Sequence, residues 1–118
     1  MIAIRGATTI NEDNIKEVRE ASLELFNEII KENKIETENI ISIIFSCTSD
    51  IKSTYPGKHI REHFGLNKVA IMHFIEMEVH NSLKKCIRVM VHVNKDNNKE
   101  IKYIYLNNAK KLRQDLIN

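Results

Sequence analysis

The segment Lys84–Val93 sets one arginine, Arg88, inside an apolar run that is typical of a β-strand. Alternate residues of a strand share a face, so the segment has an apolar face and a mixed face. The apolar face consists of Ile87, Val89, Val91 and Val93, and the mixed face of Cys86, Arg88, Met90 and His92. No acidic residue occurs between Glu78 and Asp96. Because an unpaired guanidinium in a covered site is costly, Arg88 needs either a distant carboxylate or a bound anion.

Other cations occupy comparable positions, at the ends of predicted elements or in apolar surroundings. They are Arg5, Lys58, Arg61 and Arg113, and the acids in similar places are Glu62, Glu76 and Glu78. If these elements converge, the pocket is positively charged and suits a small dicarboxylate, because arginine forks match carboxylates in two-point geometry. Two alternatives stay open. Arg5 and Arg88 could instead form structural bridges to Glu76 or Glu78, and Lys58 and Arg61 could be an ordinary solvated helix face.

Covalent and metal chemistry have weaker support in the sequence. His59 and His63 are four residues apart, but Arg61 lies between them and the zinc-protease pattern is absent. The hydroxyl and thiol residues at 46–49 lack a clear base to activate a nucleophile. Gly6, Gly57 and Gly65 are the only glycines, so no phosphate-binding glycine loop is present. The pattern favours anion recognition over covalent catalysis.

The composition limits the class of protein. With 118 residues, 42% of them hydrophobic and 29% charged, the chain is expected to form a single domain, 1–118. No apolar run is long enough for a membrane span, and the basic side chains are scattered without tryptophan, so neither a membrane nor nucleic acid is an expected partner. Cys47 and Cys86 lack metal-ligand spacing; together with the absence of signal-peptide features, this predicts reduced thiols and a cytoplasmic location.

The periodicity predicts a helix between two strands in the first half of the chain. The first strand is expected within residues 2–8, stopping at Gly6. Asn14 and Glu17 resemble a capping box that opens a helix from Ile15 to Asn33. Residues 40–48 are rich in β-branched side chains and are expected to form a strand covered on both faces.

The second half is expected to hold a short helix and three strands. Pro56 suits the first turn of a helix that ends near Phe64, with Gly65 as the C-cap. Strands are expected over residues 69–74, 84–93 and 101–106, the last two paired as a hairpin, and residues 107–118 as a mobile tail. This order predicts an α+β fold, with a mixed five-stranded sheet, helices on one face and a partner subunit over the other.

Several motifs, in order and at consistent spacing, resemble the small trimeric chorismate mutases of the pseudo-α/β-barrel class. The matching segments are Ile4–Thr9, Ser46–Asp50, Tyr55–Lys58 with Arg61–Glu62, Glu76–Val79, Ser82–Met90, Tyr105–Leu106 and Leu112–Leu116. The resemblance implies a chorismate mutase-like fold and the Claisen rearrangement of chorismate to prephenate, toward phenylalanine and tyrosine. It also implies a homotrimer that forms a pseudo-α/β barrel, with sites between neighbouring subunits and no cofactor or metal.

The resemblance further implies roles for individual residues. Arg88 would contact the breaking ether oxygen and a carboxylate, Arg5 and Tyr105 the side-chain carboxylate, and Glu76 the ring hydroxyl. The facing wall would consist of Tyr55, Gly57, Lys58, Arg61, Ile71, Met72 and His73, and the tail would contribute Leu112 and Arg113. This chain departs from the family pattern at Tyr55, where phenylalanine is frequent, at His73, where a small polar residue is usual, and at Gln114, where proline is usual.

Two other functions are compatible with the same residues. One is a trimeric imine or enamine hydrolase with a carboxylate-binding arginine, which would need an activated water. The other is a non-catalytic module that binds a small carboxylate metabolite. Turnover of chorismate distinguishes the rearrangement from both, because a binding module would hold a dicarboxylate without converting it.

Overall fold

A computed structural model describes residues 1–96 and 100–113 of the chain. The strands are β1 (Ile2–Thr9), β2 (Ile40–Cys47), β3 (Ala70–Ile75), β4 (Cys86–Val93) and β5 (Ile104–Tyr105). The helices are α1 (Ile15–Asn33) and α2 (Pro56–Phe64), with short 3₁₀ helices at Thr37–Asn39 and Asn107–Lys111. The strands form one mixed sheet in the order β3-β2-β4-β1-β5, so the predicted α+β class is confirmed.

Strand β4 lies at the centre of the sheet, antiparallel to both β1 and β2, while β3 is parallel to β2. The predicted hairpin between the last two strands is wrong, because β5 has two residues and pairs in parallel with β1. The Asn33 side chain explains the difference. Its Oδ1 accepts from the Lys102 N–H at 2.8 Å and its Nδ2 donates to the Lys102 carbonyl at 2.9 Å. Residues 101–103 therefore cross the end of α1 before the chain reaches β1.

Strand β1 continues through Gly6 to Thr9, so the expected stop at Gly6 is wrong. Gly6 does not end the strand; it allows α1 to approach the strand closely. A Cβ at this position would lie 2.9 Å from Cδ1 of Ile29 and 3.1 Å from Cδ1 of Leu25, both on α1. The missing side chain thus allows the first helix to pack directly on the strand that carries Arg5.

Both predicted helices begin where their capping residues indicate, and α2 also ends where its C-cap indicates. Asn14 Oδ1 accepts the Glu17 N–H at 2.8 Å, and the Glu17 carboxylate accepts from the backbone N–H groups of Asn11 and Glu12. At α2, Pro56 is the first residue, and Gly65 adopts a φ of 65° with its N–H bonded to the Arg61 carbonyl. The starts of both helices and the end of α2 therefore follow local signals that the sequence contains.

The two α-helices cover only one face of the sheet, and we call the opposite face helix-free because neither α1 nor α2 packs on it. The apolar side of β4 is buried there with Ile43 and Phe45, which confirms the two-faced pattern predicted for that strand. On the opposite face Met72 and Phe74 are 58% and 51% exposed, and Ile44 is half-buried. Strand β2 is thus covered on one side within this chain, and its expected cover on the other side would have to come from a partner subunit. No helix of the described residues is long and apolar enough to cross a membrane.

Candidate active site

Arg88 lies on the helix-free face and contacts a carboxylate that is distant in sequence. Its Nε lies 3.4 Å from Oε1 of Glu76, and the two side chains are 44% and 25% exposed. Ser46, directly across from Arg88 in the neighbouring strand, donates to the same Oε1 at 2.9 Å. The Glu76 N–H bonds to the Cys47 carbonyl at 2.8 Å, which holds the acid just beyond β3. Arg88 thus pairs with Glu76, as one sequence alternative allowed, but the pair is partly exposed and is not a buried bridge.

Arg88 is one wall of a cleft of about 370 Å³ that we call the arginine cleft. Its lining includes five predicted site residues, Arg5, Arg88, Tyr105, Leu112 and Arg113, together with Ile44, Ser46 and Met90. The Arg5 guanidinium lies over the Tyr103 ring, with Cζ 4.8 Å from the ring centre. Three arginines therefore share one cleft next to Glu76, as expected for an anion site.

The 3₁₀ helix at Asn107–Lys111 brings the end of the described chain to this cleft. Asn107 Nδ2 donates to Thr8 Oγ1 at 3.0 Å, and the Asn108 N–H donates to Thr9 Oγ1 at 3.2 Å. Ala109 is fully buried. The first part of the expected mobile tail is therefore a helix anchored on β1. Residues 114–118, including Gln114 and the end of the last motif, lie outside the described residues, and the mobility of the tail stays a prediction.

A second cleft, of about 640 Å³, lies between the loop that precedes α2 and strand β3, and we call it the α2 cleft. Its lining includes Tyr55, Lys58 and His73 from the predicted facing wall. A Cβ on Gly57 would lie 2.6 Å from Cγ2 of Ile71 and 2.7 Å from Cε1 of His73, so these residues adjoin the cleft. The two clefts have no lining residue in common. The predicted site residues thus form two separate groups within one chain.

Arg61 and Met72 of the predicted wall line neither of these two clefts, and neither do Gly57 and Ile71, which only adjoin the α2 cleft. Arg61 is exposed on α2, one turn beyond Lys58. Met72 projects from the opposite side of β3 to Ile71 and His73 and lies on the helix-free face. The contact of Arg61 and Met72 with substrate stays a prediction.

His73 bonds to the backbone of α2. Its Nε2 accepts the Gly57 N–H at 2.9 Å. The ring stacks on Phe45, with centroids 5.2 Å apart and planes 9° apart, and Tyr55 packs against it at 5.0 Å. Burial lowers the pKa of His73. The imidazole is therefore held as the neutral form, with Nε2 as an acceptor.

A loop contact that the sequence reasoning missed fixes the start of β4. The Asp50 carboxylate accepts the Lys85 N–H, with distances of 2.9 and 3.1 Å to its two oxygens, and accepts a hydrogen bond from the Thr48 hydroxyl. Thr48 Oγ1 in turn accepts the Cys86 N–H at 2.9 Å. This network ends two residues before Arg88 and positions it. The signal in the sequence was a Thr-x-Asp turn directly after a strand, which is typical of side-chain to backbone bonding.

The other candidate chemistries have structural explanations. His59 is buried, its Nε2 lies 3.0 Å from Thr54 Oγ1, and burial lowers its pKa. Among the described residues, no three metal-binding side chains cluster. Both cysteines are free, and burial raises the pKa of Cys47 to about 12 and also raises that of Cys86. Neither thiol is activated as a nucleophile.

The one-sided sheet and the arginine cleft define a small α+β protein built to bind an organic anion. The family model described as chorismate mutase type I matches residues 1–116. The chorismate mutase AroH of Bacillus subtilis is 38% identical over 114 residues, covering 96% of this chain and 90% of that protein. The enzyme of the same name from Thermus thermophilus is 33% identical over 115 residues, covering 96% and 93%.

A solved structure is similar over nearly the whole fold. The chorismate mutase from Clostridium thermocellum superposes with a TM-score of 0.88 at 41% identity, covering 94% of this chain and 99% of that one. The chain therefore belongs to the chorismate mutase type I family. It is an isomerase of aromatic amino-acid biosynthesis that converts chorismate to prephenate, and both the predicted family and the predicted fold are confirmed.

Proposed function

We propose that the chain accelerates the rearrangement by positioning and electrostatics, with no covalent intermediate. The reaction is unimolecular, so a flexible dianion held in its reactive shape needs no nucleophile, acid or base. Negative charge grows on the ether oxygen as its bond lengthens. A fixed guanidinium aimed at that oxygen stabilises the transition state more than the ground state.

The geometry of the arginine cleft supports a role for each group. We assign Arg88 to the ether oxygen and a substrate carboxylate, and Arg5 with Tyr105 to the side-chain carboxylate. Ser46 and Arg88 both contact Oε1 of Glu76, so we assign Oε2 to the ring hydroxyl of the substrate. The arginines that line the cleft make it positively charged even with Glu76 beside Arg88, which suits the two carboxylates of chorismate.

We further propose a homotrimer in which the arginine cleft of one subunit faces the α2 cleft of its neighbour. The separation of the predicted site residues into two clefts carries this proposal, because neither cleft holds the full set. The exposed Met72 and Phe74 support it, since a large apolar patch on the uncovered sheet face favours subunit contact. Met72 and Arg61 would then reach substrate or neighbour across the interface.

A mixing experiment tests the shared site. Arg88→Ala chains and Lys58→Ala/Arg61→Ala chains are unfolded together, refolded and assayed for the decay of chorismate absorbance. With sites shared between subunits, random assembly leaves about a quarter of the sites intact, so activity exceeds that of either variant alone. Mixing without a gain in activity would argue against shared sites, and binding of chorismate without turnover by the wild type would favour a binding module.

We also propose that the chain acts as one domain in the cytoplasm, with Leu112 and Arg113 closing over bound substrate. Leu112 and Arg113 line the arginine cleft, which supports contact with the ligand. The buried thiols, with their raised pKa values, suit a reducing compartment. Mass in solution and limited proteolysis, with and without a substrate analogue, test the assembly and the closure.

A further inference from the structure

We propose that His73 is a positioning residue: its Nε2, as a neutral acceptor, fixes the first turn of α2 and thereby the wall of the α2 cleft. The proposal rests on the proposed function, because it assumes that this wall contacts substrate. It gives His73 a different role from the direct substrate contact that the family resemblance implies for the residues of this wall. The histidine here acts through Gly57 and the residues beside it, Tyr55 and Lys58.

The start of α2 needs an acceptor from elsewhere in the fold. The first N–H groups of a helix have no partner within it, and a side chain at the N-cap usually supplies one. Here the N-cap is Tyr55, whose side chain makes no capping hydrogen bond, and Pro56 has no N–H. The Lys58 N–H bonds to the Tyr55 carbonyl at 3.2 Å. The Gly57 N–H bonds to His73 Nε2, so strand β3 supplies the cap.

The ring is held where it can serve this role. Phe45 stacks on the ring and Tyr55 tilts against it, which limits rotation. Position 57 is matched to the ring, because any Cβ there would lie 2.9 Å from the same Nε2 that accepts the hydrogen bond. Glycine and histidine therefore work as a pair, and a larger residue at 57 would displace the acceptor.

This arrangement makes the wall sensitive to pH. An imidazolium donates from both nitrogens and accepts from neither, so protonation of His73 breaks the bond to Gly57. The titratable groups that line the same cleft are Cys47 of β2, Lys52 and Tyr55 of the loop, and Lys58 of α2. None of these is a carboxylate that would stabilise an imidazolium. Burial, which lowers the pKa of His73, acts in the same direction and keeps the acceptor available near neutral pH.

The amide of Gly57 reports the bond directly. Because the chain has three glycines, ¹⁵N-glycine labelling gives three amide signals, two of them internal controls. On acidification we expect the Gly57 signal to move with the His73 ring, at a midpoint below the usual histidine value of about 6.5, while Gly6 and Gly65 stay still. The His73→Phe variant should abolish this titration. A Gly57 signal that does not titrate with His73, or still titrates in the Phe variant, overturns the proposal.

Steady-state kinetics test whether the hydrogen bond between His73 and Gly57 affects the binding of chorismate. His73→Phe should raise KM for chorismate by about 2- to 30-fold with kcat nearly unchanged, which is the range that corresponds to the loss of a helix cap. His73→Gln restores an acceptor that does not titrate, so its KM should recover in part and lose the rise seen at acid pH. His63→Gln, an exposed histidine on the same helix, is the matched control.

A Lys58→Ala variant separates the two possible failures. A raised KM in Lys58→Ala with an unchanged KM in His73→Phe overturns the role of His73 and leaves the proposed site intact. An unchanged KM in Lys58→Ala shows that the α2 wall does not bind substrate, which overturns the proposed two-cleft site and the substrate role of His73 together. A fall in kcat alone in His73→Phe would show that the ring acts on the reaction and not through the wall.

Discussion

Replacing Arg88 by alanine should abolish most of the rate while leaving the fold intact. We assign this guanidinium to the oxygen on which charge develops, so its removal acts on the transition state. Donors in comparable positions of other enzymes contribute about 2.7–4 kcal/mol, which corresponds to a loss in kcat of about 100- to 1000-fold. We therefore expect a fall of at least ~100-fold in kcat for Arg88→Ala.

The structure predicts a small effect of the same change on stability. Arg88 is 44% exposed, and its contact with Glu76 is a single Nε–Oε1 approach of 3.4 Å. Exposed ion pairs of this kind contribute about 0–1 kcal/mol, and in the variant Glu76 keeps the hydrogen bond from Ser46 and its own solvent contact. The free energy of unfolding should thus change by less than about 1 kcal/mol.

The decay of chorismate absorbance gives kcat and KM for the variant, and urea unfolding gives its stability. Arg88→Lys is an informative partner, because it keeps the charge and loses the planar fork, so it should retain only part of the rate. Lys84→Ala, an exposed cation just before β4, controls for a general loss of positive charge. Near-wild-type turnover in Arg88→Ala would refute the assignment, and so would a rate loss that follows the unfolded fraction.

Three further changes test other parts of the structure. Gly57→Ala should destabilise the protein by about 1–3 kcal/mol in urea unfolding and raise KM, because the new Cβ meets Ile71 and His73 at under 3 Å; an unchanged KM would contradict the contact. Truncation after Lys111 should raise KM with little effect on kcat, whereas truncation after Leu106 should also lower stability, because it removes the buried Ala109. Burial lowers the pKa values of His59 and His73 in the folded state, so below about pH 6.5 the unfolded chain binds more protons than the folded chain. The free energy of unfolding should therefore decrease as the pH falls from about 6.5 through the folded-state pKa values. His59→Gln and His73→Gln should each reduce this decrease, as measured by urea unfolding at several pH values.

Local signals in the sequence predict the helices and most of the strands well. They predict less well which strands pair with each other in the sheet. The Asn14–Glu17 box and the Pro56–Gly65 pair are short-range devices, and both helices follow them. The pairing of β5 depends on Asn33, which lies 69 residues from Lys102 and bonds to its backbone. Periodicity carries no information on such a contact, so an apolar segment after β4 was assigned to the commonest arrangement, a hairpin.

The site residues divide in the same way. Local pattern predicts some of their positions, and contacts between residues distant in sequence set the others. The alternation along β4 correctly assigned Arg88 to the mixed face, and residue type alone suggested an anion. Which carboxylate approaches Arg88 depended on where the chain leaves β3, and the sequence left Glu76 and Glu78 as alternatives. Glu76 is selected because its N–H bonds to the end of β2, which places its side chain beside Ser46. His73 lines the α2 cleft, and its hydrogen-bond partner is set by the packing of α2 on β3, which the sequence does not predict.

The contact between Arg88 and Glu76 also bears on how the enzyme holds a dianion. An arginine cluster without a carboxylate would bind two negative charges tightly in the ground state, which lowers KM without raising kcat. Glu76 fixes the orientation of Arg88 through one nitrogen and offsets one charge of the cleft. A preoriented guanidinium needs little reorganisation free energy as the ether bond breaks. A fixed charge favours the transition state when this reorganisation free energy is small. In the proposed mechanism, the carboxylate that pairs with Arg88 thus supports the effect of this arginine on the rate.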